Sequence, residues 1–176
     1  MKIIWSFLLC TICALSLEIK ELQGHLAHKM IWGNFVQEKK IIGFSNALRT
    51  SGDFSIEEGV LLWKTQKPIP SVTKITQDGI YVLTQDKEWI KKGNQYDKEF
   101  FLNLIRFDLE KLKNNFEIKI SGSLTSWSAE LLPMGVILPK IFKKISIFGD
   151  QFVKKIILEE SGGDLSVIQF KNIQAK

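Results

Sequence analysis

The chain has 176 residues, a length that fits one domain able to bury a substantial core. Its 24 lysine and arginine residues outnumber 19 acidic residues, but they occur as separated pairs such as Lys39-Lys40 and Lys143-Lys144. Because nucleic-acid binding requires a clustered basic stripe, this distribution argues against a nucleic-acid partner.

The first sixteen residues have the pattern of a secretory signal peptide. Lys2 supplies the positive start, an almost wholly apolar run follows over 3–15, and Ala14 and Ser16 are small residues at the expected cleavage point. A membrane span needs about 20 apolar residues, and Glu18 ends this run too early. We therefore expect export, cleavage near Leu17 and a mature domain over 17–176.

Both cysteines, Cys10 and Cys13, lie inside this signal. The mature chain is therefore expected to lack disulfides, and neither cysteine has the small-residue setting of a lipid-modified one. Loss of the signal removes Lys2 and no acid, which leaves a net charge of +4 from the original +5.

The mature chain begins with a predicted helix over about 17–32, in which Leu22 and Leu26 lie on one side. His25 and His28 are three residues apart on this helix. With no cysteine or nearby acid to complete a ligand set, we interpret them as surface histidines and predict no metal site.

Beyond Gly33 the pattern predicts a mainly β protein. Strands are predicted at 34–42, 46–56, 59–66, 71–77, 79–85, 116–124, 127–132, 144–148, 152–160 and 165–173, with an amphipathic helix over 98–116 and a short helix or turn over 135–142. About ten strands with two or three helices predict one large, curved antiparallel sheet with helices covering one face. The alternation of side chains along the strands places one mainly apolar and aromatic set on a single face of the sheet: Phe35, Gln37, Ile41, Leu48, Phe54, Ile56, Leu61 and Trp63.

The order of several short motifs resembles the LolA-like family of periplasmic carriers of outer-membrane lipoproteins. The motifs are Phe35-Val36-Gln37 within 32–39, Ser51-Gly52-Asp53-Phe54, and Gly59-Val60-Leu61-Leu62-Trp63 followed by Pro68. The segments 116–124, 127–133 and 156–170 are similar to the family's later strands. The resemblance therefore covers nearly the whole mature chain.

This resemblance implies a half-open barrel whose apolar concave face is closed by helices and holds the acyl chains of a lipoprotein. It also implies a periplasmic location, an inner-membrane lipoprotein-releasing ABC transporter and an outer-membrane acceptor as partners, and no cofactor. We expect a monomer. Better-known members of the family carry an arginine before the proline that follows the Leu-Trp pair, and here that position is Lys67. Lysine cannot make the forked, planar contact that arginine makes, so we expect control of the lid to differ.

The predicted lipid-binding residues are apolar side chains of the sheet face and of the covering helix. They are Phe35, Leu48, Phe54, Leu61, Trp63, Phe101, Leu104, Ile105, Trp127 and Leu131. Any one of them could instead be ordinary core.

Three alternatives stay open at the level of sequence. The cargo could be a non-protein lipid or glycolipid that partners another exporter. A secreted esterase-type enzyme would have to use His25 or His28, but Ser51-Gly52-Asp53 and 161–164 have the composition of turns, and neither forms a Gly-x-Ser-x-Gly elbow. A structural β-protein would instead have a filled interior.

Overall fold

The computed structural model describes residues 19–92 and 95–176, so the expected signal peptide over 1–16 lies outside the described residues. Eleven strands form one sheet. They are β1 (Met30–Lys40), β2 (Leu48–Glu57), β3 (Val60–Lys67), β4 (Ser71–Ile75), β5 (Ile80–Leu83), β6 (Trp89–Lys92), β7 (Phe116–Ser123), β8 (Ser126–Pro133), β9 (Phe142–Gly149), β10 (Val153–Glu160) and β11 (Leu165–Ala175).

The sheet is antiparallel throughout and open. Its strand order is β6-β5-β4-β3-β2-β1-β11-β10-β9-β8-β7, so β1 and β11 pair at its centre and β6 and β7 form two separate edges. In every other pair of neighbouring strands, the two strands are consecutive in the sequence and are joined by a short connection. The predicted single antiparallel sheet in a half-open arrangement is confirmed.

In the described part of the chain, four short helices accompany the sheet: α1 (Ile19–Leu26), α2 (Gln95–Arg106), α3 (Leu109–Leu112) and α4 (Leu138–Ile141). The predicted first helix is too long, because Met30 to Trp32 already pair with β2 and belong to β1. The prediction of one continuous helix over 98–116 is wrong, because this segment forms two helices, α2 and α3. Phe107 adopts a φ of 50°, which breaks the helix, and Asp108 caps α3 through the backbone N–H of Lys111.

The register of the sheet places one set of alternating side chains on its concave face. Phe35 of β1 lies opposite Gly52 of β2 and Phe170 of β11, and Phe54 lies opposite Trp63 of β3. The same alternation continues through Ile156, Ile147, Ala129 and Ile120 in the other half of the sheet. These side chains, together with Leu22 and Leu26 of α1 and the apolar face of α2, make one buried apolar cluster.

Candidate functional site

An aromatic layer occupies the centre of the concave face. Phe35 and Trp63 are stacked with their ring centroids 3.7 Å apart, and Phe170 meets Phe54 edge-on at 4.9 Å and Trp63 at 6.2 Å. The four rings come from β1, β2, β3 and β11, which are neighbours in the sheet. Stacked and edge-on contacts of this kind stabilise a ring cluster beyond the burial of its apolar area.

Helix α2 crosses the concave face and joins its two halves. Phe101 meets Trp63 of β3 edge-on at 5.4 Å, while Phe100 lies 5.3 Å from Phe142 of β9 and 5.8 Å from Phe116 of β7. The helix also approaches β4 and β10, strands that are separated by four others in the sheet. It therefore covers the aromatic layer as a lid would.

The contacts that hold this lid are apolar. Leu104 and Ile105 are 0% and 5% exposed against the sheet. Among the described side chains, no hydrogen bond or ion pair joins residues 100–106 to the sheet. Displacement of α2 would thus expose apolar surface without breaking a side-chain polar contact to the sheet, and a hydrocarbon chain could replace the lost contacts.

Trp127 anchors the other half of the concave face at the junction between α2 and α3. Its indole stacks on Phe107 with centroids 4.8 Å apart, and its Nε1–H donates to the backbone carbonyl of Asp150 at 2.7 Å. A Cβ atom on Gly149 would lie 2.4 Å from this indole, so only glycine allows the ring to pack so closely on β9. These contacts fix Trp127 more firmly than Trp63, which is only half-buried.

The structure brings nine of the ten predicted lipid-binding residues together. Seven are buried in the apolar cluster, namely Phe35, Phe54, Leu61, Leu104, Ile105, Trp127 and Leu131, and Trp63 and Phe101 are half-buried against it. Leu48 is 59% exposed at the first position of β2 and lies outside the cluster. The other nine belong to one apolar cluster, formed by the concave face of the sheet and by the side of α2 that packs on it.

Several members of the cluster were not among the predicted residues. Phe170 completes the central layer, and Phe100, Phe116 and Phe142 hold the second half of α2. The alternation of Ser166, Ile168 and Phe170 along β11 could have identified Phe170. Phe100 could not be separated from Phe101 by sequence, because both flank the apolar stripe of one helix.

Lys67, the predicted lid-control residue, is the exposed last residue of β3. Together with Pro68, Arg49 and Ser51 it lines a surface cleft of about 560 Å³. Within the described part of the chain it makes no side-chain hydrogen bond or ion pair. Its role in lid control stays a prediction.

An ion pair joins the end of β1 to the turn between β10 and β11. Lys39 of β1 lies 2.8 Å from Glu160 and 3.4 Å from Asp164, which flank the turn between β10 and β11. The hydrogen bond to Glu160 raises the pKa of Lys39 above its usual 10.5, although partial burial opposes this shift. The contact ties β1 to the β10–β11 turn.

The two histidines do not form a site. His25 lies in the last turn of α1, whereas His28 follows the helix, lies 3.1 Å from the backbone carbonyl of Gln151 and packs on Phe152. Across 19–92 and 95–176 there is no group of three or more side chains suited to hold a metal ion. Over the same residues, no helix has both the length and the apolar character that a membrane crossing needs.

No protein-family model matches the sequence, and no curated protein matches it at a significant level. Among solved structures, the chain is similar to a LolA superfamily protein from Nitrosomonas europaea, with 7% identity, 89% of this chain and 93% of that chain covered, and a TM-score of 0.50. The chain therefore shares the fold of that protein. At this identity the LolA likeness establishes the fold and leaves the cargo open.

Two further solved structures align over similar lengths. A DUF1329 family protein from Desulfovibrio piger shares 10% identity over 89% of this chain and 91% of that chain, with a TM-score of 0.47. A domain from Vibrio parahaemolyticus, described as an outer membrane lipoprotein-sorting protein, shares 8% identity over 89% and 90% of the two chains, with a TM-score of 0.45.

Proposed function

We propose that this protein is a periplasmic carrier that binds the acyl chains of lipoproteins beneath α2 and ferries them from the inner to the outer membrane. The observation that carries the proposal is the aromatic layer of the concave face, covered by a helix with apolar contacts. The LolA superfamily fold supports the same reading of the face.

Physical chemistry supports carriage without a covalent step. Each CH₂ group removed from water stabilises a bound acyl chain by about 0.8 kcal/mol. This gain offsets the exposure of the apolar side of α2 only if the acyl chain fills the space that the helix leaves. Release then requires a partner with a comparable apolar surface. By resemblance, the partners are a lipoprotein-releasing ABC transporter and an outer-membrane acceptor, and the carrier itself is no enzyme.

The cargo is tested by native mass spectrometry of the protein isolated from a periplasmic extract. We expect additional mass that dissociates as an acylated polypeptide. Dissociation of a lipid or glycolipid without a polypeptide would replace the lipoprotein proposal with carriage of a non-protein lipid. Ligand-free protein that also fails to take up acylated peptide would contradict carriage.

The site is tested by Trp63→Glu, with Trp32→Glu as the matched control. Both residues are half-buried tryptophans of adjacent parts of the sheet, but Trp63 lies on the concave face and Trp32 on the outer face, beside Asn34 and Asp53. We expect Trp63→Glu to abolish binding of a fluorescent fatty acid and Trp32→Glu to preserve it, with both variants folded by circular dichroism. Equal binding by the two variants would remove Trp63 from the site.

A further inference from the structure

The exposed apolar side chains of this protein are concentrated at one end of the sheet. We call it the hairpin end, because it carries the β1–β2 hairpin (41–47) together with the connections over 68–70, 84–88, 134–141 and 161–164. All ten large apolar side chains that are exposed in the described part of the chain lie at this end. The connections of the opposite end, over 58–59, 76–79, 124–125 and 150–152, contribute none.

Six of these side chains project from three connections. They are Ile42 and Phe44 in the β1–β2 hairpin, Ile69 between β3 and β4, and Val136, Ile137 and Ile141 between β8 and β9, and they are between 46% and 76% exposed. We call them the apolar rim. The β3–β4 and β1–β2 connections lie about two strands apart, roughly 10 Å, and the β8–β9 connection lies about four strands from the β1–β2 hairpin, roughly 20 Å, so the six form an arc along the sheet end. A concentration of exposed apolar side chains such as the apolar rim is typical of a surface that contacts a partner.

Hydrogen bonds hold two of these connections in place. The backbone N–H of Ile42 donates to Asp164 at 3.1 Å, and the hydroxyl of Ser161 donates to the carbonyl of Pro139 at 2.7 Å. The backbone N–H of Ser161 also donates to the carbonyl of Ile141 at 2.9 Å. The β10–β11 turn therefore fixes the hairpin on one side and α4 on the other, and the rim is preorganised.

Cations accompany the apolar rim. Lys40, Lys67, Lys140 and Lys143 are exposed on the same three connections or on the strand ends next to them, and none forms an ion pair with a described carboxylate. The neighbouring acids are engaged elsewhere, since Glu160 and Asp164 pair with Lys39, and Glu38 pairs with Arg49. Exposed apolar side chains with lysines on the same end of the sheet match a bilayer surface, which offers anionic headgroups above hydrocarbon.

We propose that the apolar rim docks the protein onto an anionic lipid bilayer. The six side chains enter the interfacial region while the four lysines contact the headgroup phosphates. The β5–β6 turn, with Asp86 and Glu88, stays outside this contact because its carboxylates are repelled by the same surface. This docking does not require the concave face to bind lipid, so the two proposals stand separately.

Co-sedimentation with vesicles tests the docking. The purified protein is mixed with vesicles of phosphatidylethanolamine and phosphatidylglycerol, or with vesicles of phosphatidylcholine alone. One variant combines Phe44→Ser with Ile137→Ser, and a second combines Lys67→Glu with Lys140→Glu. The matched control combines Lys29→Glu with Lys171→Glu, which changes the net charge equally at exposed positions away from the hairpin end. All proteins carry the same N-terminal segment, so differences report on the substituted residues.

We expect binding to the anionic vesicles that exceeds binding to phosphatidylcholine, with the partition coefficient falling about tenfold or more in each rim variant and changing about twofold or less in the control. Absence of binding, or equal loss in the rim and control variants, would overturn the proposal. Rim-dependent capture by a purified membrane protein without vesicle binding would overturn it too. Fatty-acid binding measured without vesicles separates the proposals, because the rim variants should retain it.

Discussion

At the scale of single residues, close packing at Gly52 and Gly149 requires glycine. Gly52 faces β3, and a Cβ atom there would lie 1.9 Å from the carbonyl oxygen of Lys64. Gly149 accommodates the indole of Trp127. Gly52 therefore lets the β3 backbone approach, and Gly149 lets the Trp127 indole approach, more closely than any side chain would allow.

Substitution of Gly52 tests this reading of the sheet. Gly52→Ala should lower the free energy of unfolding by about 1–3 kcal/mol, because the clash is with backbone and not with a flexible side chain. Gly24→Ala is the matched control. It lies in α1 with no atom within 4 Å of its Cβ, and it should raise stability by about 0.5–1 kcal/mol. Denaturant unfolding of both variants checks the pair, and an unchanged midpoint for Gly52→Ala would contradict the register.

Sequence analysis predicts single residues well where the alternation of a strand continues without interruption. Phe35, Phe54, Leu61 and Trp63 all lie on the face that the pattern predicts. Leu48 has the same parity, since it lies opposite Lys39, but it is at the end of its strand, where the covering elements no longer reach. Strand patterns indicate the face of a side chain; its burial depends on the elements above it.

At the scale of elements, the ion pair between Lys39 and Glu160 predicts a dependence on pH. The pKa of Lys39 is raised in the folded protein, so its stabilising effect is complete below the usual value of 10.5 and is lost as pH rises through the folded value. Lys39→Met should lower the free energy of unfolding by about 0.5–1 kcal/mol at neutral pH.

Thermal unfolding at several pH values checks this prediction. The difference between the wild type and Lys39→Met should be constant from neutral pH to just below 10.5, and it should shrink above that value. A difference that persists unchanged in strong alkali would show that the lysine acts through its aliphatic chain and not through its charge.

The lid helix makes the second prediction at this scale. Over residues 100–106, helix α2 has no side-chain hydrogen bond or ion pair to the sheet, whereas β1 is hydrogen-bonded to strands on both sides. Amide hydrogens of α2 should therefore exchange about tenfold or more faster than those of β1, and Phe101→Ala should increase the rate for α2 further. Hydrogen exchange measured by mass spectrometry checks this. Protection of α2 equal to that of β1 would contradict a movable lid.

The sequence analysis was less accurate for edges and breaks than for central strands. It missed β6, a four-residue edge strand of Trp89, Ile90, Lys91 and Lys92 in which every residue is exposed, so no alternation of burial marks it. It joined α2 and α3 because both bury residues in the same cluster and the apolar spacing continues across Phe107. The left-handed backbone of Phe107 could not be predicted from sequence, because a bulky residue rarely adopts it, and here it accompanies packing of the ring on Trp127.

At the scale of the whole molecule, the open sheet separates two kinds of apolar surface. One is the covered concave face, and the other is the apolar rim at the hairpin end. Both edges are protected against pairing with other sheets, since β6 is short and carries two lysines and β7 exposes Glu117 and Lys119. The overall architecture could be predicted from the number of strands and their alternation. The concentration of exposed apolar residues at one end could not be predicted, because it depends on the order of the strands in the sheet.

The proposed carriage requires the concave face to open and admit an acyl chain. Quenching of tryptophan fluorescence by bromine-labelled palmitic acid measures this opening, in two proteins that keep only Trp63 or only Trp32 and carry phenylalanine in place of the other tryptophans. Bromine quenches on contact, Trp63 lies under α2, and Trp32 lies on the outer face. Saturable quenching of Trp63 with little effect on Trp32 is the predicted result. No quenching of Trp63, or equal quenching of both, would contradict the account.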